Sequence, residues 1–222
     1  MSMRLTAILL AAGQSKRMDL NSPKSSRVNR NKLLLPYKRT KQPIILYTLQ
    51  KVLQSNITQI IVVVGYQSRK LRTVIQSSKS GRGKRSLDFV KNNNYRSGLA
   101  SSIRTGMNRI STLTTAVLIF LGDQPEISVR TIEKIIHRAT RSRKSIIVPV
   151  YQGQNGHPVL FKKKYFNQLR RLASLLDEKD IGARIILEKN QHDISYIKVN
   201  DYGIIHDIDN WQDYKSLTKS HL

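Results

Sequence analysis

The 222-residue sequence contains no cysteine. Disulfides, thiolate catalysis and cysteine-ligated zinc are therefore excluded, and a reducing, cytoplasmic setting is the expectation. Acidic residues are scarce, 14 against 39 lysines and arginines, which leaves a formal charge of +25. Aromatic residues make up only 6% of the chain, and no zinc-finger, homeodomain or RNP-type pattern interleaves them with the cations. A field of this sign attracts nucleotides, phosphorylated metabolites, nucleic acid or acidic proteins. Because the cations are spread along the chain, they read as general surface charge around a small anionic substrate rather than as a polynucleotide groove. No run approaches the roughly 18 apolar residues of a membrane span. The segment "RLTAILLAAG" leads into charged residues rather than into a signal-peptide cleavage site.

What is present is an ordinary globular share of apolar residues, 39%, in a length suited to one domain spanning 1–222. Apolar runs without polar alternation occur at 6–13, 59–65, 116–123 and 145–150. Such runs suit strands covered on both faces, as in a mainly parallel sheet. Helix-length amphipathic stretches lie between them at 43–54 and 128–140. A third holds Leu99, Ile103, Met107 and Ile110 at helical spacing, with Ser97 placed to cap its start. The alternation predicts an α/β, Rossmann-like, doubly wound sheet. The last third predicts a short strand at 157–161, helices near 162–176 and 181–189, and a strand at 194–199. A final strand should then give way to a terminal helix in "GIIHDIDNWQDYKSL". The polar, cationic loops 19–31 and 77–86 are expected to be mobile.

Sheets of this kind bind ligands at the carboxyl ends of their strands. Three strand ends, Ala11-Ala12-Gly13, Val64-Gly65-Tyr66 and Gly122-Asp123, should therefore open on one rim. After Gly13, no further glycine falls at dinucleotide-fingerprint or Walker A spacing. What remains is a small-residue strand end followed by Lys16 and Arg17. Backbone N–H groups there would face a phosphate chain and the cations would neutralise it. A plain strand-to-helix turn with solvated cations fits the loop equally well when it is taken alone.

The ordered set "LAAGQSKRM", "NKLLLP", "NYRSGLASSIRTGM", "LGDQP", "GHPVLF", "DIGAR" and "DIDNWQDY" resembles the MobA-like nucleotidyltransferases, most closely the molybdenum cofactor cytidylyltransferases. The resemblance covers nearly the whole chain and implies the GT-A-like version of the fold. It implies Mg²⁺ as cofactor, held by Asp123 and Asp209, with Arg17, Lys32 and Asp123 as catalytic residues. Nucleotide contacts would come from Ala11, Ala12, Gly13, Lys32, Gly65, Gly98, Ser101 and Ser102, and acceptor contacts from Gly156, His157 and Pro158. CTP and molybdenum-molybdopterin would be the substrates, with a molybdoenzyme or its maturation chaperone receiving the product. The L-A-A-G form, rather than L-A-G-G, resembles the cytidyl-using branch. The chain departs from the family in "DLNSPKSSRVNR", which lengthens the path to Lys32 and reads either as a lid over the phosphates or as a passive insertion.

The residue chemistry fits that resemblance. A phosphate nucleophile is already ionised near neutral pH, so no general base is required. Accordingly the chain has no G-x-S-x-G elbow and no histidine pair at ligand spacing. The task is to gather anions and stabilise departing pyrophosphate, which cations and a hard oxygen-ligated metal perform. Asp123 has a competing reading as a helix cap, Asp207 as strand-end solvation, and His157 as an ordinary structural histidine. Rival functions are transfer to a sugar phosphate or phosphocholine, an NAD(P)-dependent oxidoreductase of MobA-like type, and a noncatalytic basic binding module. The absent dinucleotide fingerprint argues against the second of these.

Overall fold

The computed structural model describes residues 3–20, 31–37, 41–78, 86–172 and 182–219. The chain opens with β1 (Leu5–Ala11), buried at every position, and a short helix α1 (Lys16–Leu20). The two-residue strands β2 (Pro36–Tyr37) and β3 (Gln42–Pro43) pair antiparallel ahead of α2 (Ile44–Gln54). Next come β4 (Gln59–Val64), α3 (Ser68–Ser77), β5 (Ser86–Lys91), α4 (Leu99–Met107), β6 (Ala116–Leu121) and α5 (Val129–Arg141). The last part contains β7 (Ile146–Tyr151), β8 (Gln154–Asn155), β9 (Val159–Lys162), α6 (Phe166–Arg171), α7 (Arg184–Lys189), β10 (Ile194–Lys198) and α8 (Trp211–Lys219).

Seven strands form the order β10-β7-β9-β6-β1-β4-β5, and β8 adds to β7. The β1 strand lies parallel between β4 and β6, with Ala11 beside Val64 and Leu10 beside Leu121. The β9 strand runs antiparallel between β6 and β7. The sheet is therefore mainly parallel, and the carboxyl ends of β1, β4 and β6 share one rim. Alternate residues of β1 serve two layers. Leu5, Ala7, Leu9 and Ala11 pack in a cluster with α2, α3 and α5, whereas Ile8 and Leu10 pack with α4, α6 and α7. Each large side chain buried completely in these layers contributes about 1.5–3 kcal/mol, which explains why the runs lack polar alternation.

Several sequence expectations are corrected. Ser97 does not cap α4; it closes a 3-10 turn, Tyr95–Ser97, and Gly98 (φ 89°) occupies the cap without a side-chain hydrogen bond. The strand expected before the terminal helix is absent. Asp201 accepts from Gly203 N, Ile204 O takes the His157 and Gln124 donors, and Ile208 N bonds to Asp123 O. With its polar backbone groups engaged singly in this way, the segment has no ladder to join. The helix expected at 162–176 begins as a 3-10 turn at Lys163–Tyr165 and continues as α6, and residues 173–176 of that expectation lie outside the described residues. The α3 helix and the β5 strand went unread in the sequence. Residues 21–30 and 79–85, which hold most of the two cationic loops, lie outside the described residues, as do 173–181. Among the described residues no helix is long and apolar enough to cross a membrane.

Candidate active site

Hydrogen bonds of Ser15, Asn31, Gln124 and Asp213 bring the first loop, the end of β6 and the far carboxyl-terminal motif together. Met18 N bonds to Ser15 O, and Ser15, at φ 58°, holds a left-handed conformation uncommon for a residue with a side chain. Its hydroxyl oxygen accepts a hydrogen bond from Lys32 N at 3.0 Å. Asn31 caps the 3-10 turn Lys32–Leu34 by accepting from Leu33 N, and its amide donates to Tyr66 O. Lys32 is thus fixed beside the rim whatever path residues 21–30 take. From the other side, buried Gln124 donates to Ile204 O and to Asp207 Oδ1 (2.6 Å). Asp213, in the first turn of α8, accepts from the backbone N–H groups of Asp209 and Asn210. The motifs "LGDQP" and "DIDNWQDY", 83 residues apart at Gln124 and Asp207, are joined through these bonds.

The product is a cavity of about 530 Å³ lined by residues 10–17, Lys32, Leu33, Tyr95, Arg96, Gly98, Leu99, Ser102, Leu121, Asp123, Asp207 and Asp209. Within it the Lys32 ammonium lies 2.6 Å from Asp123 Oδ2 and 3.1 Å from Asp209 Oδ1. Arg17 Nη1 reaches Asp209 Oδ2 at 2.7 Å. Burial alone would lower the pKa of Lys32, but Asp123 and Asp209 outweigh it and raise the value above the ordinary lysine range. Burial would likewise raise Asp209, yet Lys32 and Arg17 hold its carboxyl below the usual carboxylate range. Asp207 is pushed up to about 6, first by burial and then by the charge of Asp123; Asp209 adds to this and the Gln124 hydrogen bond opposes it. The rim is an alternation of anions and cations in which one carboxyl is left without a full counter-charge.

Of the residues singled out from the sequence, Ala11, Ala12, Gly13, Arg17, Lys32, Gly98, Ser102, Asp123 and Asp209 meet in this cavity, together with Lys16. Two expected nucleotide contacts do not line it. Gly65 is a glycine for packing: a Cβ there would lie 2.7 Å from both Ala12 O and Tyr95 Cβ, so its bareness lets the Tyr95 turn approach β1. Ser101 is buried and donates to Asn94 O and Gly98 O while accepting from Asn92 Nδ2, so it fastens the turn preceding α4. Gly156 and His157 line a second cavity of about 440 Å³, and Pro158 is buried without lining it. A Cβ on Gly156 would strike Ile204 O at 2.5 Å, so this glycine also serves packing. His157 Nδ1 is sealed from solvent and has no hydrogen-bond partner among the described residues. Burial lowers the pKa of this imidazole and keeps it neutral near pH 7, against smaller opposing effects of the Ile119 backbone and Asp123. Leu99 lines both cavities. Gly182 (φ 55°) from the "DIGAR" stretch packs on Leu99 so tightly that a Cβ would come within 2.7 Å of Leu99 Cδ2. Arg96 and Gln124 carried no role in the sequence reading, although both stand inside motifs that drew attention.

A divalent cation can be tested against this donor set. Among the described residues no three carboxylate or imidazole ligands converge as a preformed metal site. Mg²⁺, however, usually keeps several waters and takes only one or two carboxylates together with substrate phosphates. Asp123 and Asp209 already place oxygens around one positive centre, the Lys32 ammonium. The donors fit such an ion.

A parallel-sheet rim that combines small residues, three carboxylates and four cations defines a nucleotide-handling α/β protein. The family comparison gives this class its particular form. The model of the MobA-like NTP transferase domain matches residues 7–194, and the chain belongs to that family. Rv0371c from Mycobacterium tuberculosis H37Rv is 25% identical with a TM-score of 0.77, over 99% of this chain and 100% of that one. A manganese complex of Rv0371c matches over the same shares at 25% identity and a TM-score of 0.74. A nucleotidyl transferase from Methanothermobacter thermautotroptrophicus (Mth528) shares the fold, with 19% identity and a TM-score of 0.76 over 96% of this chain and 95% of that one. The bifunctional protein GlmU of Staphylococcus haemolyticus is 22% identical over 180 residues, 80% of this chain and 35% of GlmU. The chain thus spans about a third of the length of the curated relatives it matches.

Proposed function

We propose that the protein is a Mg²⁺-dependent nucleotidyltransferase that transfers CMP from CTP to the terminal phosphate of molybdenum-molybdopterin. The observation that carries the reaction class is the sharing of one ammonium by Asp123 and Asp209 beside the Gly13 loop. Membership of the MobA-like family supports it, as does the manganese bound by Rv0371c. The choice of CTP and of the acceptor rests on the L-A-A-G form of the first loop and on the resemblance of the motif set.

In this reading residues 11–15 face the triphosphate with backbone N–H groups, and Arg17 and Lys32 neutralise it from one side. An ionised acceptor-phosphate oxygen attacks the α-phosphorus, forming one P–O bond. The bond from that phosphorus to the β-phosphate bridging oxygen breaks, and pyrophosphate leaves with the electron pair. Asp123 and Asp209 would hold the divalent ion, and its charge would offset that on the phosphoryl oxygens. Gly156 and His157 sit in the acceptor-side cavity, which meets the nucleotide cavity at Leu99. The test is a pyrophosphate-release screen of the four ribonucleoside triphosphates with Mg²⁺ against purified molybdenum-molybdopterin, a sugar phosphate and phosphocholine. Release with CTP and the pterin cofactor alone is the expected result. Release with a different acceptor would replace the substrate assignment, and no release with any pair would overturn the reaction class.

A further inference from the structure

Lys32 is paired with both carboxylates that would hold a divalent cation. Its ammonium lies within ion-pair distance of one oxygen from each of Asp123 and Asp209. Its side chain is only 14% exposed, so it is enclosed at that position. An ion held by the same two oxygens at about 2.0–2.1 Å, the Mg²⁺ distance, would draw on the carboxylate charge that now holds the ammonium and would repel it. The two cations exclude each other. Ser15 and the Asn31-capped turn fix the Lys32 backbone, so only the side chain is free to leave. It stays within the cavity that holds Gly13 and the phosphate-facing loop.

We infer that Lys32 is the resident counter-ion of the divalent-cation position, and that it makes metal entry depend on nucleotide entry. This deepens the nucleotidyltransferase reading and rests on it. Without nucleotide, admitting a divalent ion moves the ammonium off both carboxylates and leaves the crowded Asp207 carboxyl as the remaining anion lining the cavity. With a triphosphate present, the displaced ammonium moves from carboxylate to phosphate oxygens. The free protein therefore binds the metal weakly, and the metal and the nucleotide favour each other's binding by the same factor. Arg17 differs in kind. Among the described residues its ion pair is to Asp209, and its side chain is 72% exposed, so it contributes charge without pairing with Asp123.

The experiment is a titration of Mn²⁺ into the nucleotide-free protein, followed by the electron paramagnetic resonance of free Mn²⁺. Lys32→Met and, as a second replacement, Lys32→Gln should each bind Mn²⁺ about tenfold more tightly than wild type. Arg17→Met should change affinity by no more than about threefold, because its charge is largely screened by solvent. Unchanged or weaker binding in both Lys32 variants, or an equal gain in Arg17→Met, would overturn the inference. Adding Asp123→Asn to Lys32→Met separates the two levels. If Mn²⁺ binding requires Asp123 but Lys32→Met brings no gain, only the counter-ion role fails. If Mn²⁺ binding ignores Asp123, the metal assignment behind the proposed function fails as well.

Discussion

Two groups of aspartates in this protein use the same residue type for opposite ends. Asp193, just before β10, is buried and fully engaged. Its Oδ1 accepts from Ser145 N, and its Oδ2 accepts from Tyr165 Oη (2.9 Å) and Lys164 Nζ (2.7 Å). Burial disfavours its charge, yet the Lys164 and Ser145 hydrogen bonds overcome this and hold the carboxyl far below the usual range. At the rim, Asp123, Asp207 and Asp209 crowd around a single enclosed lysine, and Asp207 is driven the other way, to about 6. A carboxylate saturated with three donors from two other segments clamps a fold. Carboxylates that outnumber their enclosed cation leave a negative charge that a divalent ion could offset in its place. The difference between clamp and site lies in the surplus charge, and it is invisible in the residue type.

Three substitutions sharpen this contrast. The largest effect is expected from Asp123→Asn, which should lower kcat by about a thousandfold while leaving nucleotide binding measurable. An active variant would remove Asp123 from the chemistry. Asp193→Asn should act on stability alone, destabilising the protein by about 2 kcal/mol and lowering Tm by roughly 4–8 °C with kcat little changed. Because the folded pKa of Asp193 lies below its unfolded value, the stabilisation it supplies is complete above about pH 4 and disappears as pH falls further. The wild-type melting temperature should therefore drop below that pH more steeply than that of the variant, and parallel profiles would deny Asp193 the clamping role. The smallest effect has the opposite sign. Asp207 has a raised folded pKa, so its ionised form weakens the fold as pH rises from about 4 and does so fully above 6. Asp207→Asn should therefore stabilise the metal-free protein at pH 8 by about 1 kcal/mol, with the gain fading below pH 5. Equal stabilisation at both pH values would contradict the crowding of charges.

The parallel half of the fold was legible because its physics is local. Leu5–Ala11, Gln59–Val64 and Ala116–Leu121 are covered on both faces, and that leaves uninterrupted apolar runs. The β5 strand escaped notice because Leu87, Asp88, Phe89 and Val90 are only half-buried at the sheet edge. The region after Trp211 is helical as expected. The segment before it misled because its alternation of apolar and acidic residues mimics a strand, whereas its backbone bonds run singly to Asp123, Asp201 and His157. Within the site, the matches at Asp123, Lys32 and Asp209 were visible as motif residues, and the structure brings all three to one cavity. Gly65 and Ser101 looked like ligand contacts because a glycine at a strand end and a serine near a helix start are equally at home in packing and capping. Their true neighbours, Tyr95 and Asn92, are set by tertiary contacts that spacing does not encode.

The proposed reaction requires Asp123 and Asp209 to hold one divalent cation jointly beside a bound triphosphate. Calorimetric titration of Mn²⁺ into the protein saturated with a non-hydrolysable CTP analogue tests it most directly. One tight site is expected, weakened by at least about tenfold in Asp123→Asn and likewise in Asp209→Asn. Wild-type Mn²⁺ affinity in either variant would contradict it.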